Sequence, residues 1–441
     1  MEDGRVKAFI SRNLSAFFTS RGLRNARRRF NALKRRLRGG QPVIHYFHQV
    51  DDPYSHLAVQ MLKPLGERYG VAVEISLVLP PDEAAAPEYD LLKEYALRDA
   101  ARVAREYGVA FPAAVARPDE KEVRRVNALL AAALQKGNVV ELAVEAGEAL
   151  WAGGKAAIDR LVEMHGVASA RETNRCLKRG TAKRAKLGHY LSGMFCFEGE
   201  WYWGVDRLNH LEERLAEAGF DKAPGTPMLA PYRDMVLGPV PQGAHRPVID
   251  FWFSFRSPYS WIAVPRMLKL AHHYNAELRL RFVLPMVMRG LPVPRTKRFY
   301  IVLDTKREAE RAGLPFGRVV DSVGNGAARA LAVIHHAIPL GKGEAFAELG
   351  CRAVFADGID IATDEGLFDV ARRAGLSDET VREALADPGW EKAVEENRQA
   401  LFDAGLWGVP SFRVDGMLAH WGQDRFWALE EDILAAMAAR R

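Results

Sequence analysis

Cysteine is scarce in this chain of 441 residues: three, Cys176, Cys196 and Cys351, lie far apart and none falls in a C-x-x-C. That spacing excludes a disulfide framework, a cysteine-based zinc site and a dithiol redox centre. Free thiols packed into the interior of a cytoplasmic protein are the expectation. The histidines, His272-His273 and His335-His336 included, show no ligand spacing with carboxylates or thiols, so no metal is expected. Apolar runs are short as well. None reaches the roughly 18 residues needed to cross a bilayer, and no secretory signal is expected near the first residues.

What is present is ordinary in bulk, with 48% hydrophobic and 27% charged residues, which suits two or three globular domains. The net charge of +6 is unevenly spread. Residues 1–38 hold twelve Lys/Arg against two acids, a local balance of +10, which leaves about −4 for the remainder. Among those arginines stand Phe9, Ile10, Leu14, Phe17, Phe18, Leu23, Phe30, Leu33 and Leu37. The spacing predicts a basic amphipathic helix from Val6 to Arg38, broken near Gly22 and ended by Gly39-Gly40. Two readings stand for this leader (1–41). Residues 5–38 attach to an anionic membrane surface or an acidic partner, or the apolar stripe packs on the body and the arginines face water. Nucleic acid is not expected.

Beyond the leader the sequence resembles itself. Pro42–Phe47 answers Pro247–Trp252, Asp52-Pro53-Tyr54-Ser55 answers Ser257-Pro258-Tyr259-Ser260, and Val78-Leu79-Pro80 answers Val283-Leu284-Pro285, all at an offset of 205. Ala149–Gly154 answers Ala353–Gly358 at 204, and Trp203–Arg207 answers Trp421–Arg425 at 218. Matches in order with one jump of offset predict two copies, 42–220 and 247–441, joined by a proline- and glycine-rich linker or strap at 221–246. The period is too long for a solenoid.

In the second copy Val248–Phe253 predicts a strand, and Ser257-Pro258 the N-cap and first position of a helix reaching about His273. Leu278–Leu284 predicts a second strand, and about Thr296 to Leu406 a helical insertion. Ser411–Val414 and Met417–His420 around Asp415-Gly416 predict a hairpin, followed by a helix from Asp424 to Ala439. The order βαβ, helices, ββα is that of an α/β fold with two tandem thioredoxin-like domains, each with an inserted helical subdomain. Ser257 is then either a plain N-cap or the group that holds a thiolate at the positive end of a helix dipole. Pro410, entering a strand, points to a turn in which a cis peptide would free the Val409 backbone. Asp424 is either an N-cap or a carboxylate for an α-ammonium group, and Arg425 either faces solvent or takes a carboxylate.

Together, F-W-F-S-F-R-S-P-Y-S-W-I at 251–262, F-A-D-G-I-D-I-A from 355, W-G-V-P-S-F-R-V-D-G at 407–416 and W-G-Q-D-R at 421–425 resemble the 2-hydroxychromene-2-carboxylate isomerase and kappa-class glutathione transferase family. The resemblance covers most of 247–441. It implies glutathione as cofactor, a small aromatic, conjugated substrate, and isomerase or transferase chemistry. By the same resemblance, Ser257 hydrogen-bonds the glutathione sulfur, Val409 before a cis Pro410 pairs with its cysteinyl part, and Asp424 and Arg425 lie at its γ-glutamyl end. Tyr259 and Trp261 line the substrate pocket or simply pack. The family's asparagine after the second strand is missing from Arg289–Arg295, where Arg289 or Arg295 stands available for the glycyl carboxylate. In the first copy Asp52 replaces the serine and Ser192-Gly193 replaces Val409-Pro410. That copy is either a diverged structural partner, giving an internal pseudo-dimer, or a separate site built on Asp52, His48 or His56. A dithiol oxidoreductase and a non-catalytic scaffold are the rival readings of the whole.

Overall fold

The computed structural model describes residues 2–112, 116–241 and 245–439. Two helices open the chain, α1 (Glu2–Phe18) and α2 (Arg21–Leu37). There follow β1 (Val43–His48), α3 (Pro53–Val59), α4 (Leu62–Tyr69) and β2 (Ala72–Leu77). A helical stretch comes next: α5 (Tyr89–Tyr107), α6 (Glu120–Lys136), α7 (Val139–Trp151), α8 (Lys155–His165) and α9 (Ala170–Leu187). It leads to β3 (Met194–Phe197), β4 (Glu200–Trp203) and α10 (Leu208–Glu217). The pattern then recurs as β5 (Val248–Phe253), α11 (Pro258–His273) and β6 (Glu277–Phe282). Its helices are α12 (Arg295–Arg311), α13 (Asn325–Ala337), α14 (Gly343–Arg352), α15 (Asp364–Arg373), α16 (Asp378–Ala386) and α17 (Gly389–Asp403). It closes with β7 (Ser411–Val414), β8 (His420–Trp421) and α18 (Phe426–Ala439).

The chain divides into two compact units. One joins the stretch up to Asn25 to everything from Arg233 onward, and the other is Ala26–Tyr232. The leader is therefore not a body of its own, and the expected boundary at 41 falls instead inside α2. Neither unit packs the leader as expected. In the first, α1 turns its hydroxyls inward: Ser11 Oγ donates to Val319 O at 3.1 Å, and Val319 N–H donates to Ser15 Oγ at 2.9 Å. Phe9, Ile10 and Phe17 remain exposed. The break between the helices comes at Thr19-Ser20 rather than Gly22, because Ser20 Oγ accepts the Leu23 N–H and caps the second helix.

Each unit holds a four-stranded sheet of the same order, β2-β1-β3-β4 in one and β6-β5-β7-β8 in the other. The central strand pairs in parallel with the strand that follows it and antiparallel with the hairpin. The registers correspond: Phe47 faces Met194 in one sheet, Trp252 faces Ser411 in the other. β5 is apolar almost throughout because both its faces are covered, and Phe251, Trp252 and Phe253 are wholly buried. Asp250 is tolerated there because Arg281 Nε at 2.9 Å and Arg413 Nε at 3.0 Å neutralise it. In the hairpin Asp415 and Gly416 both take positive φ, as a D-G turn requires. The return strand begins only at His420, so Met417 and Leu418, expected in it, lie in an exposed loop.

Each unit also fixes its share of the 221–246 segment with a buried glutamate. In one, Glu212 accepts Leu229 and Ala230 N–H, both at 2.8 Å, and the Tyr69 hydroxyl at 2.9 Å. In the other, Glu430 accepts Val236 N–H, Gly238 N–H at 3.1 Å and the Tyr274 hydroxyl at 2.6 Å. The described part of the segment has no regular secondary structure; these carboxylates satisfy its amides instead. Replacing Glu430 by alanine leaves two amides without their acceptor and the Tyr274 hydroxyl with the Gly238 carbonyl at 3.4 Å. Expected are a loss of about 1–3 kcal/mol in the unit's stability and faster hydrogen exchange at Val236 and Gly238. Unchanged exchange at those two amides would refute the assignment.

Candidate active site

The register Trp252–Ser411 brings the end of β5 beside the loop that enters β7. Ser257 caps α11 from an extended conformation, accepting the Ser260 N–H at 3.2 Å. Its own proton goes to Val409 O at 3.2 Å. The Val409–Pro410 peptide is cis. Sequence reasoning left both Val409 backbone groups free. The structure leaves only the N–H without a partner among the described residues, since Ser257 takes the carbonyl. Half-buried Ser257 and half-buried Val409 thus face each other at the positive end of a 16-residue helix, where an anion is favoured.

The loop carrying Val409 is held from several sides. Ser411 Oγ donates to Gly408 O at 2.7 Å, and Arg289 Nη1 donates to Trp407 O at 3.2 Å. Trp407 and Trp421 pack at 5.0 Å between ring centroids. A Cβ on Gly408 would stand 2.8 Å from the Trp421 indole nitrogen, so the glycine of G-V-P is a packing requirement. Arg289 also lies over the Phe402 ring. This arginine, one of the two offered for a ligand carboxylate, therefore supports the loop, while Arg295 is exposed beside Phe299.

The G-Q-D-R turn is a 3-10 turn, Gln423–Arg425, with no side-chain cap; α18 starts after it at Phe426. Asp424 is therefore not the N-cap of that helix. It is half-buried, and its carboxylate accepts from Gln423 Nε2. Arg425 is 4% exposed and reaches back to Asp424 O at 3.4 Å, so it does not face solvent. Tyr259 donates to the buried Asp304 at 2.7 Å. Trp261 is 1% exposed with its indole N–H on Pro315 O at 2.9 Å, which makes it a core residue. Ser257, Val409 and Pro410 are brought together; Tyr259 stays beside them, and Trp261 and Arg425 turn inward.

Sequence reasoning missed the residues that fix the turn. Arg266, one helical face along α11, donates through Nη1 to Gln423 O at 3.0 Å and Oε1 at 2.6 Å. Gln423 Nε2 in turn donates to buried Glu308 of α12 at 2.8 Å. An arginine directly after Pro265 in an otherwise apolar stretch was the available signal. Lys297, seven residues before Asp304 on α12, was also missed; burial pulls its pKa down to about 8. A surface cavity of about 500 Å³ along β6, lined in part by Arg279, Arg281 and Glu344, contains none of these residues.

In the other unit the equivalent helix end is occupied from within. Asp52 accepts Tyr54 and Ser55 N–H, both at 3.2 Å, and the hydroxyls of Ser55 at 2.7 Å and Ser192 at 2.9 Å. Desolvation, opposed by those two hydroxyls, holds its carboxyl above the usual range. His48 and His56 are buried, and neither ring nitrogen of His56 has a hydrogen-bond partner among the described residues. Burial raises the thiol pKa of Cys196 to about 12 and that of Cys351 still further; it also raises that of Cys176, which is half-exposed where the interior was expected.

Residues 248–434 match the family model described as DSBA-like thioredoxin domain. The C-terminal half carries a DSBA-like thioredoxin domain. This domain is similar to 2-hydroxychromene-2-carboxylate isomerase of Pseudomonas sp. (strain C18), 24% identical over 196 residues, covering 42% of this chain and 90% of that protein. The same-named protein of Pseudomonas putida is 25% identical over 192 residues, covering 42% and 92%. A solved structure of 2-hydroxychromene-2-carboxylate isomerase overlaps 43% of this chain and 95% of its own, at 23% identity and a TM-score of 0.37. The DSBA-like domain here has serine at its helix start and no C-x-x-C.

Gly408→Ala forces the Trp407–Trp421 pair apart. The expected outcome is a stability loss of about 1–3 kcal/mol with altered tryptophan fluorescence; a native spectrum and melting temperature would contradict it. In the other unit burial draws the imidazole pKa values down from 6.5, to about 3 for His48 and about 4 for His56. The folded unit binds fewer protons than the unfolded chain below pH 6.5, so stability is full above that value and falls as pH drops towards about 4. His56→Gln should flatten this acid limb by up to about 1.4 kcal/mol per pH unit. Equal slopes in urea unfolding of both forms would exclude His56 as the cause.

Proposed function

We propose that the DSBA-like domain is a glutathione-dependent isomerase of the 2-hydroxychromene-2-carboxylate isomerase kind, acting on a small aromatic, conjugated substrate. The observation that carries the reading is the Ser257 hydroxyl at the start of α11, 3.2 Å from Val409 O, in a domain similar to two isomerases of that name. Glutathione, when bound, supplies a thiolate that adds reversibly to a conjugated carbon and leaves again, with no net redox change.

The residues at the sulfur end fit such a ligand. Ser257 has one proton to give, and turning it from Val409 O to a sulfur favours the thiolate form, with the α11 dipole acting in the same sense. The Val409 N–H, without a partner among the described residues, is available to an extended peptide ligand. Tyr259, two residues on from Ser257, is half-buried and fixed by Asp304. The contribution is activation of a nucleophile and its positioning. A dithiol exchange reading has no support, since the sequence has no C-x-x-C and Cys196 and Cys351 are buried.

We further propose that Ala26–Tyr232 contains a diverged copy of the same unit. Matching sheet order, register and tyrosine–glutamate pairs support this. In that copy the Asp52 carboxylate fills the place a thiolate would take, so a single site per chain is expected.

Isothermal calorimetry with glutathione tests both. The full chain should bind one glutathione, and Ser257→Ala should bind about ten- to a hundredfold more weakly, with a higher pKa of the bound thiol read from thiolate absorbance. Asp52→Ala should leave the stoichiometry unchanged. No binding by the wild type would dispose of the glutathione reading.

A further inference from the structure

The α2 helix carries eight Lys/Arg and no acidic residue, yet none of its residues is buried. Within Ala26–Tyr232 it is fixed to the body by its polar side. Arg28 forms a fork on Glu200 with Nη2 at 2.8 Å and reaches Glu217 at 2.7 Å. Asn31 Nδ2 donates to Glu198 O at 2.6 Å, and Arg35 Nε to Glu198 Oε1 at 2.8 Å. Residues 28, 31 and 35 share one helical face. The opposite face is therefore directed outward.

That outward face is apolar at its centre. Phe30 is 65% exposed, Leu33 54% and Leu37 78%, and the three follow the i, i+3, i+7 spacing of a single stripe. Cations border it on both sides: Arg27, Lys34 and Arg38 on one, Arg29 and Arg36 on the other. All five are exposed, and none forms an ion pair among the described residues. A soluble surface helix normally buries its apolar stripe and shows its charges to water. Here the acidic residues of the body take the polar side and leave the stripe outside.

We propose that this face of α2 docks on an anionic lipid surface. An apolar row between two lines of free cations is the arrangement that lets a helix lie flat at the headgroup boundary, with side chains in the acyl region and guanidinium groups on lipid phosphates. Because Arg28, Asn31 and Arg35 anchor the other side along the helix, the face is presented already ordered. The charge complementarity is with a negatively charged surface, and the helix does not cross it: no helix among the described residues is long and apolar enough to do so.

Sedimentation of the full chain with vesicles tests this. Vesicles of phosphatidylglycerol and phosphatidylcholine should carry the protein down, those of phosphatidylcholine alone should not, and added salt should weaken the association. The triple variant Phe30→Ser, Leu33→Ser, Leu37→Ser should lower vesicle partitioning about a hundredfold or more. The double variant Arg29→Gln, Arg36→Gln should lower it by about tenfold or more. Circular dichroism and the unfolding transition of both variants should match the wild type, since the altered side chains touch water. Absence of sedimentation with the anionic vesicles would overturn the proposal, as would equal partitioning of wild type and triple variant. So would self-association that the triple variant abolishes while no vesicle binding is seen, which would assign the face to a second copy of the chain.

Discussion

The pairing of the central strand with the hairpin is the constraint on which the candidate site depends. Ser257 follows β5 and Val409 precedes β7, and 152 residues separate them in the chain. They meet because Trp252 lies opposite Ser411 in the ladder. A slip of one residue would turn every β7 side chain to the other face of the sheet and carry the Val409 carbonyl away from the serine. The wholly buried Phe251 and Phe412, paired in the same ladder, make that slip costly.

The same constraint operates in Ala26–Tyr232 with different chemistry. Phe47 opposite Met194 places Ser192 beside the start of α3, and there a carboxylate receives the hydroxyl proton that a carbonyl receives in the DSBA-like domain. Where Ser257 caps α11 in one unit, Asp52 caps α3 in the other, and there a carboxylate stands at the start of the helix. Scaffold geometry and site chemistry thus vary independently.

The elements legible in the sequence are those with local causes. The bounds of α11 follow from Ser257-Pro258 at one end, and the hairpin from Asp415-Gly416, whose positive φ values only such residues adopt readily. The Ser257–Val409 meeting was legible only through resemblance, since no local rule joins residues so far apart. For Trp261 the packed reading holds, and Arg425 is buried where solvent was one of its alternatives; spacing tells which residues are neighbours, not which way a side chain turns. The hydrogen bonds from Arg266 to Gln423 and from Gln423 to Glu308 depend on three separate elements. The leader was readable as amphipathic, but its packing was not. Which face goes inward is decided by Glu198 and Glu200, more than 160 residues later.

That last contact changes what the leader is. Glu198 and Glu200 are shared between α2 and Arg214, which reaches Glu198 at 2.8 Å and Glu200 at 3.8 Å. A chain cut before Gly40 would take Arg28 and Arg35 away from two half-buried carboxylates and the Asn31 amide away from the Glu198 carbonyl. The basic segment is thus a counter-charge built into the fold, and trimming it alters the protein that remains.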